Sequence, residues 1–255
     1  MSIGHTLLGT GANKVLVLHG WLGDYAVFEP TFNTLDLDRF TYAFVDYRGY
    51  GKSTEMTGDY SMREIAADAI ALVDSLGWND FHVVGHSMGG MAMQRVMLDI
   101  DDRSRVVSAI GIDPVPACGG QLDEPSWALF QGAIKSDENR YTILDFTTGN
   151  RNAARWLHYM VERSRASTTE AAFAGYLNAW AKEDFADEVS GIETPVLVLL
   201  GEHDLAFTRE GMEATYLAWY PNAELEMIAN AGHYAMQEAP VNLATLMEAF
   251  LLRHA

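Results

Sequence analysis

The sequence predicts an α/β fold built on a doubly wound, mostly parallel β-sheet. Short β-branched or leucine-rich runs alternate along the chain with longer segments of helical periodicity. Several of these runs are apolar without a break, as expected for strands that are covered by helices on both faces of a sheet. Strand–helix alternation of this kind produces right-handed crossovers and places helices on both sides of one sheet.

Six segments predict the strands of this sheet, because each is a short β-branched or leucine-rich run. They are KVLVLHG (14–20), TYAFVDY (41–47), FHVVG (81–85), RVVSAIGID (105–113), TPVLVLLG (194–201) and AELEMIAN (223–230).

Two segments show clear helical patterns. SMREIAADAIALVDSLG (61–77) carries apolar residues at helical spacing, begins with a serine that can cap the helix and ends at Gly77. APVNLATLMEAFLLRHA (239–255) predicts a second helix with a proline near its start.

Residues 116–190 interrupt the alternation, because they contain helical patterns and turns but no convincing strand. Such an all-helical insertion between two strands predicts a lid and not a separate domain. We therefore expect a core made of residues 1–115 and 191–255, with residues 116–190 as a helical lid.

The charge balance argues against several kinds of partner. The 255-residue chain has 17 Lys and Arg against 35 Asp and Glu, a formal net charge of −18. Binding of nucleic acid requires clustered Lys and Arg to neutralise phosphates, and anionic membrane surfaces also attract basic segments. We therefore expect no nucleic-acid and no membrane partner.

The sequence also predicts a cytoplasmic location. No basic region precedes the first apolar stretch, so we expect no signal peptide. No apolar run approaches the ~18 residues of a membrane span. Cys118 is the only cysteine, which excludes an internal disulfide and a cysteine-based metal cluster.

One short motif indicates chemistry. Residues 85–89, Gly-His-Ser-Met-Gly, match the pattern G-x-S-x-G between a predicted strand and a predicted helix. The serine then occupies a sharp, strained turn, and a Cβ at Gly85 or Gly89 would clash with neighbouring backbone. The motif predicts that the Ser87 hydroxyl is held at the C-terminal edge of the sheet as a nucleophile.

Five blocks, this motif included, occur together in one order and spacing: HGWLGD (19–24), DYRGYGKS (46–53), GHSMGG (85–90), GEHD (201–204) and AGHYAMQEAP (231–240). With them the chain resembles the α/β-hydrolase fold family over essentially its whole length. The resemblance implies an α/β-hydrolase fold with a helical lid inserted after the sixth strand. It also implies a catalytic triad in the chain order serine, acid, histidine.

His233 is the predicted base of this triad. It follows the last predicted strand on a loop that can reach back across the sheet edge, and a serine hydroxyl needs a base to accept its proton. Asp204 is the predicted acid, which would hold the imidazole tautomer. Asp113, at the end of the strand before the lid, is the alternative acid, although the family's order favours Asp204.

Acyl transfer also requires backbone N–H donors for the oxyanion. The amide of Met88, directly after the nucleophile, is one candidate. By resemblance the second is the amide of Trp21, with Leu22 as the alternative. Five side chains are candidates for a largely apolar substrate pocket: Leu22, His86, Trp127, Trp156 and Trp180.

These residues predict a serine hydrolase that cleaves a small to medium, largely apolar carboxylic ester or lactone through an acyl-enzyme, without a metal or an organic cofactor. A carbon–carbon bond hydrolase and a cofactor-free perhydrolase or oxygenase remain open on the same fold. A ligand receptor or regulatory protein is the alternative of another class. Four arginines of the insertion form either a solvated face or a contact for a substrate carboxylate: Arg151, Arg155, Arg163 and Arg165.

Overall fold

A seven-stranded sheet forms the centre of the fold in the computed structural model, which describes residues 2–255. The strands are β1 His5–Leu8, β2 Asn13–Leu18, β3 Phe40–Val45, β4 Phe81–His86, β5 Val106–Ile112, β6 Val196–Gly201 and β7 Ala223–Ile228. Their order across the sheet is β1-β3-β2-β4-β5-β6-β7. Only β1 runs antiparallel to its neighbour, and the other five strand pairs are parallel.

The strands confirm the predicted fold class and all six predicted runs. Every residue of β4 and of β6 is buried, which explains why those sequences are apolar without alternation. β1 was not predicted. Its four residues, HTLL, lie at the sheet edge and are only partly buried, so they lack the apolar pattern of a central strand.

Eleven α-helices surround the sheet in residues 2–255: α1 Met62–Ser75, α2 Met88–Asp99, α3 Glu124–Gly132, α4 Asp137–Thr147, α5 Ala154–Ser167, α6 Glu170–Lys182, α7 Ala186–Val189, α8 Arg209–Ala214, α9 Tyr216–Trp219, α10 Ala235–Glu238 and α11 Pro240–Arg253. Three 3₁₀ helices span Tyr25–Thr31, Gly51–Ser53 and Arg103–Arg105. The predicted cap of α1 is present, since Glu64 N–H donates to Ser61 Oγ at 3.1 Å.

Helices α3 to α7 lie between β5 and β6 along the chain. The expectation that this insertion follows the sixth strand was wrong, because residues 2–112 contain five strands. A backbone hydrogen bond ties the insertion to the loop after β3, since Thr169 N–H donates to Gly49 O at 2.9 Å. A second bond, from Phe185 N–H to Ala117 O at 2.9 Å, joins the two ends of the insertion to each other. None of the helices within residues 2–255 has the length and apolarity needed to cross a bilayer.

Three buried histidines make the fold sensitive to acid. His19 follows β2, while His82 and His86 lie on β4. Burial lowers the pKa of His19 and of His82 from 6.5 to about 4, and it lowers the pKa of His86 well below its ordinary value. The unfolded chain therefore binds these protons at a higher pH than the folded protein does.

We expect the free energy of unfolding to fall as the pH is lowered from 6.5 to about 4, because the unfolded chain binds more protons over that interval. Urea denaturation at half-unit pH steps measures this slope. In His82→Gln, the amide can keep the bond to Ser108 Oγ, 2.8 Å away, but it does not titrate. The slope of unfolding free energy against pH measures how many protons are taken up on unfolding, and the variant should take up about one proton fewer. An unchanged slope would contradict a lowered pKa of His82.

Candidate active site

Ser87 occupies the turn between β4 and α2. Its backbone adopts φ 54° and ψ −120°, a region that residues with a Cβ rarely adopt. Ser87 N–H donates to Ile112 O at 3.0 Å, and Ser87 O accepts from Gly90 N–H at 2.8 Å and from Val115 N–H at 2.9 Å. The surrounding backbone therefore holds the strained conformation on both sides of the residue.

Glycines permit this turn because the neighbouring backbone leaves no room for a Cβ. A Cβ on Gly85 would lie 2.2 Å from Gly89 O, and one on Gly89 would lie 2.4 Å from Leu18 O. The end of β2 thus packs directly against the turn. A Cβ on Gly20, just past β2, would lie 3.1 Å from Ser87 Cβ. The loop that contains Trp21 is therefore next to Ser87.

His233 and Asp204 meet at the same edge of the sheet. His233 Nδ1 and Asp204 Oδ2 are 2.7 Å apart, and both side chains are buried. Asp204 Oδ1 accepts from Ala206 N–H at 2.7 Å and from Phe207 N–H at 3.3 Å. The loop after β6 therefore fixes the carboxylate, and the carboxylate fixes Nδ1 of the ring, so that Nε2 is the ring nitrogen outside this contact.

The backbone of His233 is fixed as well. Its N–H donates to Thr147 O at 3.1 Å, and its carbonyl accepts from His86 Nε2 at 2.8 Å. The Phe207 ring stacks on the imidazole with the ring centroids 5.6 Å apart. One contact comes from the helical insertion, one from β4 and one from the loop after β6, so three segments position this ring.

Two backbone N–H groups near Ser87 have no acceptor among the loop contacts of residues 2–255. Among residues 2–255, no loop or side-chain acceptor takes the N–H of Met88 or of Trp21. Met88 is the first residue of α2, where the positive end of the helix dipole favours negative charge. Trp21 is held firmly, because its indole N–H donates to Phe173 O at 2.8 Å and its carbonyl accepts from Tyr50 Oη at 3.1 Å.

A cavity of about 250 Å³ opens above these groups. Its lining contains Ser87 and His233 and is otherwise mostly apolar, with no Lys, Arg, Asp or Glu among the lining residues of the described chain. The core contributes Trp21, Leu22, Ser87, Val115, Leu205, Ala206, Phe207, His233 and Tyr234. The insertion contributes Gly120, Leu122, Ser126, Leu129, Phe130, Ile143, Phe146, Thr147 and Trp180.

The fold and this arrangement agree with the sequence comparison. The sequence model described as "Alpha/beta hydrolase family" matches residues 15–246. The chain belongs to the α/β hydrolase family. A non-heme haloperoxidase of Rhodococcus erythropolis is 28% identical over 203 residues, which cover 74% of this chain and 73% of the haloperoxidase.

Two further proteins show how widely this hydrolase family varies. A 2-(acetamidomethylene)succinate hydrolase of Mesorhizobium japonicum is 35% identical over 236 residues, covering 89% of this chain and 83% of that hydrolase. The solved structure of Est816, described as an N-acyl homoserine lactone degrading enzyme, superposes with a TM-score of 0.82 at 25% identity, covering 97% of this chain and 96% of Est816. The names of these two proteins describe different substrates.

Leu22 and Trp180 line the cavity of this hydrolase, whereas three other candidate pocket residues do not. His86 is 1% exposed and points to the carbonyl of His233. Trp127 packs under Lys182 Nζ, 3.7 Å from the ring centroid, beside a separate shallow depression. Trp156 donates to Gln237 Oε1 at 3.4 Å and is not among the residues that line the cavity. Placing these three in the pocket was therefore wrong.

The insertion supplies cavity residues that the sequence analysis missed. Leu129 and Phe130 of α3 and Ile143, Phe146 and Thr147 of α4 all line the cavity. Residues 143, 146 and 147 are spaced i, i+3 and i+4 and so lie on one helix face. That spacing was the available signal, but it does not say whether the face contacts the core or a cavity.

The arginines of the insertion do not line the cavity. Arg151 pairs with Glu238, Arg163 lies 3.4 Å from Asp24 and Arg165 lies 2.6 Å from Asp137. These three therefore form ion pairs away from the substrate space. Arg155 is exposed.

Asp113 lies directly after β5 and close to the same centre. One potential ligand atom each from Asp113, Asp204 and His233 lies within 4.8 Å of the others. This is the one group of three or more such side chains within residues 2–255. Within this group His233 Nδ1 and Asp204 Oδ2 are hydrogen-bonded to each other.

Proposed function

We propose that this hydrolase is a serine carboxylic-ester hydrolase for small to medium, uncharged and largely apolar esters or lactones. One observation carries the proposal: the Ser87 hydroxyl and the His233 ring open together on a cavity whose lining is mostly apolar and contains no charged side chain of Lys, Arg, Asp or Glu. Family membership supports hydrolysis in general, and the cavity supports the substrate class.

In the proposed mechanism Ser87 Oγ attacks the ester carbonyl carbon while His233 Nε2 accepts its proton. Asp204 holds Nδ1–H and stabilises the imidazolium without taking the proton itself. The N–H groups of Met88 and Trp21 bind the oxyanion of the tetrahedral intermediate. His233 then protonates the leaving alcohol, and a water molecule activated by His233 hydrolyses the acyl-enzyme. These groups complete the reaction without a metal or an organic cofactor.

The Ser87 hydroxyl makes no capping hydrogen bond to α2. Hydrogen bonds between catalytic groups are often absent or long in a site without substrate, and they form in the complex. A bound ester would exclude water from the cavity and bring the hydroxyl, the base and the carbonyl carbon together.

The charge of the cavity supports an uncharged substrate. A substrate carboxylate in a mostly apolar cavity would lose its hydration without gaining a cationic partner, and the net charge of −18 repels anions. The succinate hydrolase of Mesorhizobium japonicum is named for a dicarboxylate. We therefore propose a different substrate for this chain despite 35% identity.

We also propose that residues 116–190 act as a lid on the core formed by residues 1–115 and 191–255. Half of the cavity lining comes from this insertion, and Thr147 of the insertion contacts the backbone of His233. A lid with these contacts would both shape the acyl pocket and hold the base.

The nucleophile assignment predicts that Ser87→Ala reduces hydrolysis of p-nitrophenyl butyrate by several orders of magnitude, roughly 10⁴-fold or more. The fold should survive, because the hydroxyl faces the cavity and makes no capping hydrogen bond to α2. A fluorophosphonate should label the parent at Ser87 alone, located by peptide mass mapping. An adduct on another residue, or an active protein that takes no label, would overturn the assignment.

The acid assignment predicts that Asp204→Asn lowers kcat by about 10⁴, because the amide removes the charge that fixes the imidazole. Asp113→Asn is the matched control. It changes the neighbouring carboxyl in the same way, and kcat should stay within roughly tenfold of the parent. The reverse ranking would assign Asp113 as the acid and leave Asp204 as a loop-capping residue.

The charge argument predicts a preference for p-nitrophenyl butyrate over mono-p-nitrophenyl succinate, which has a similar length but carries a carboxylate. Phe146→Arg puts a cation at the cavity. Tyr159→Arg is the control, because the two side chains are similarly exposed, at 46% for Phe146 and 42% for Tyr159, but only Phe146 lines the cavity. The first variant should shift the preference toward the succinate ester by about fivefold, or roughly 1 kcal/mol. An equal shift in both variants would contradict a specific role of the cavity.

A further inference from the structure

We infer that Asp113 is a positioning residue of this site: its carboxyl group is neutral, and it donates a hydrogen bond to Asp204 that holds the carboxylate against His233 Nδ1. The inference rests on the proposed function, because it assigns a role in the same site. Asp113 would then be a second acid beside Asp204, neutral where Asp204 is charged, and it would position Asp204 without contacting His233 itself.

The geometry of Asp113 leaves one of its oxygens without a donor. Its side chain is 0% exposed. Oδ1 accepts from Gly201 N–H at 2.7 Å, which links the end of β5 to the end of β6. Oδ2 is buried and meets no hydrogen-bond donor within residues 2–255. A buried carboxylate oxygen without a donor costs free energy, whereas a protonated oxygen is itself a donor.

The partner for that proton is Asp204. A carboxylate oxygen of Asp113 and one of Asp204 lie within 4.8 Å of each other, and a small adjustment of either buried side chain would bring them to hydrogen-bonding distance. A carboxylate offers about four lone-pair positions. Asp204 uses three of them, for the N–H groups of Ala206 and Phe207 and for Nδ1 of His233. A proton on Asp113 Oδ2 would satisfy the fourth, so one hydrogen bond accounts for both the unpartnered oxygen and the open position.

The charges around Asp113 favour its neutral form. Asp204, from the loop after β6, and Glu238, from α10, are acidic, and Glu238 is paired with Arg151. His233 is the one group of this centre that can become positive, and it is bonded to Asp204. Burial first, and then the charge of Asp204, raises the pKa of Asp113 well above its ordinary value.

Asparagine tests the role because it copies the neutral acid. Its Oδ1 can accept from Gly201, its Nδ2–H can donate to Asp204, and it tolerates φ 42° at this position. Asp113→Ala removes both bonds. We expect Asp113→Asn to retain kcat for p-nitrophenyl butyrate within roughly tenfold of the parent, and Asp113→Ala to lose about 10- to 100-fold in kcat while still folded.

A double-mutant cycle separates positioning from general packing. If Asp113 acts through Asp204, adding Asp113→Ala to Asp204→Asn should cause little further loss in kcat. If Asp113 only supports the fold, the two losses should multiply. The inference would be overturned if the losses in kcat of the two single variants multiply in the double variant, or if folded Asp113→Ala keeps the full kcat. It would also be overturned if Asp113→Asn loses as much kcat as Asp204→Asn does.

Two readouts do not depend on activity. The infrared spectrum of the parent minus that of Asp113→Asn at pH 8 should contain the C=O stretch of a neutral carboxylic acid. At that pH Asp46, whose pKa is raised by burial to about 6, is ionised, and the difference spectrum cancels the carboxyl groups that the two proteins share. Absence of the band would mean that Asp113 is charged and would overturn the inference, even if Ser87→Ala had already failed as a test of ester hydrolysis.

Stability against pH gives the second readout. Folded Asp113 binds its proton more tightly than the unfolded chain does, so its contribution to stability is lost as the pH rises above about 3.9. Asp113→Asn does not titrate. In urea denaturation the unfolding free energy of the variant should therefore rise relative to that of the parent as the pH goes from 4 toward 8. The slope of this difference should correspond to about one proton. A pH-independent difference between the two proteins would overturn the inference.

Discussion

The close approach of β2 to the start of α2 behind Ser87 is the constraint on which the rest of the site depends. Gly89 has no space for a Cβ because Leu18 O would lie 2.4 Å from it, so the chain must turn sharply there. That turn holds Ser87 at φ 54° and makes Met88 the first residue of a helix. The positions of Ser87, of the Met88 N–H and of the adjacent Trp21 loop thus follow from a single backbone contact.

The helical insertion completes the site from the opposite side. Phe173 of α6 lies between the Trp21 ring, with the centroids 3.8 Å apart, and the Arg140 guanidinium, 3.9 Å from its centroid. Thr147 of α4 accepts the N–H of His233. Trp21 and His233 are therefore both positioned by residues far away in sequence, and a displacement of the insertion would move both at once.

The sequence predicted what local patterns determine. The apolar runs gave six of the seven strands, and the short motif around Ser87 marked the turn, whereas the half-exposed β1 left no pattern. Pocket residues were harder to predict from the sequence, because a tryptophan in a helix does not show whether its side of the helix faces the cavity, the core or solvent. Trp180 lines the cavity while Trp127 packs against Lys182. His86 was misplaced because its partner, the His233 carbonyl, is 147 residues away.

The charge state of the buried acids matters for the chemistry of the proposed base. During acyl transfer His233 must first accept a proton and then release it to the leaving alcohol, so its imidazolium must be neither too unstable nor too stable. One ionised partner, Asp204, meets both needs. A second ionised carboxylate within 4.8 Å would stabilise the imidazolium further and weaken it as an acid. A neutral Asp113 keeps Asp204 in place without adding that charge. Two aspartates can therefore lie close to one histidine in a buried site, because only one of them is charged.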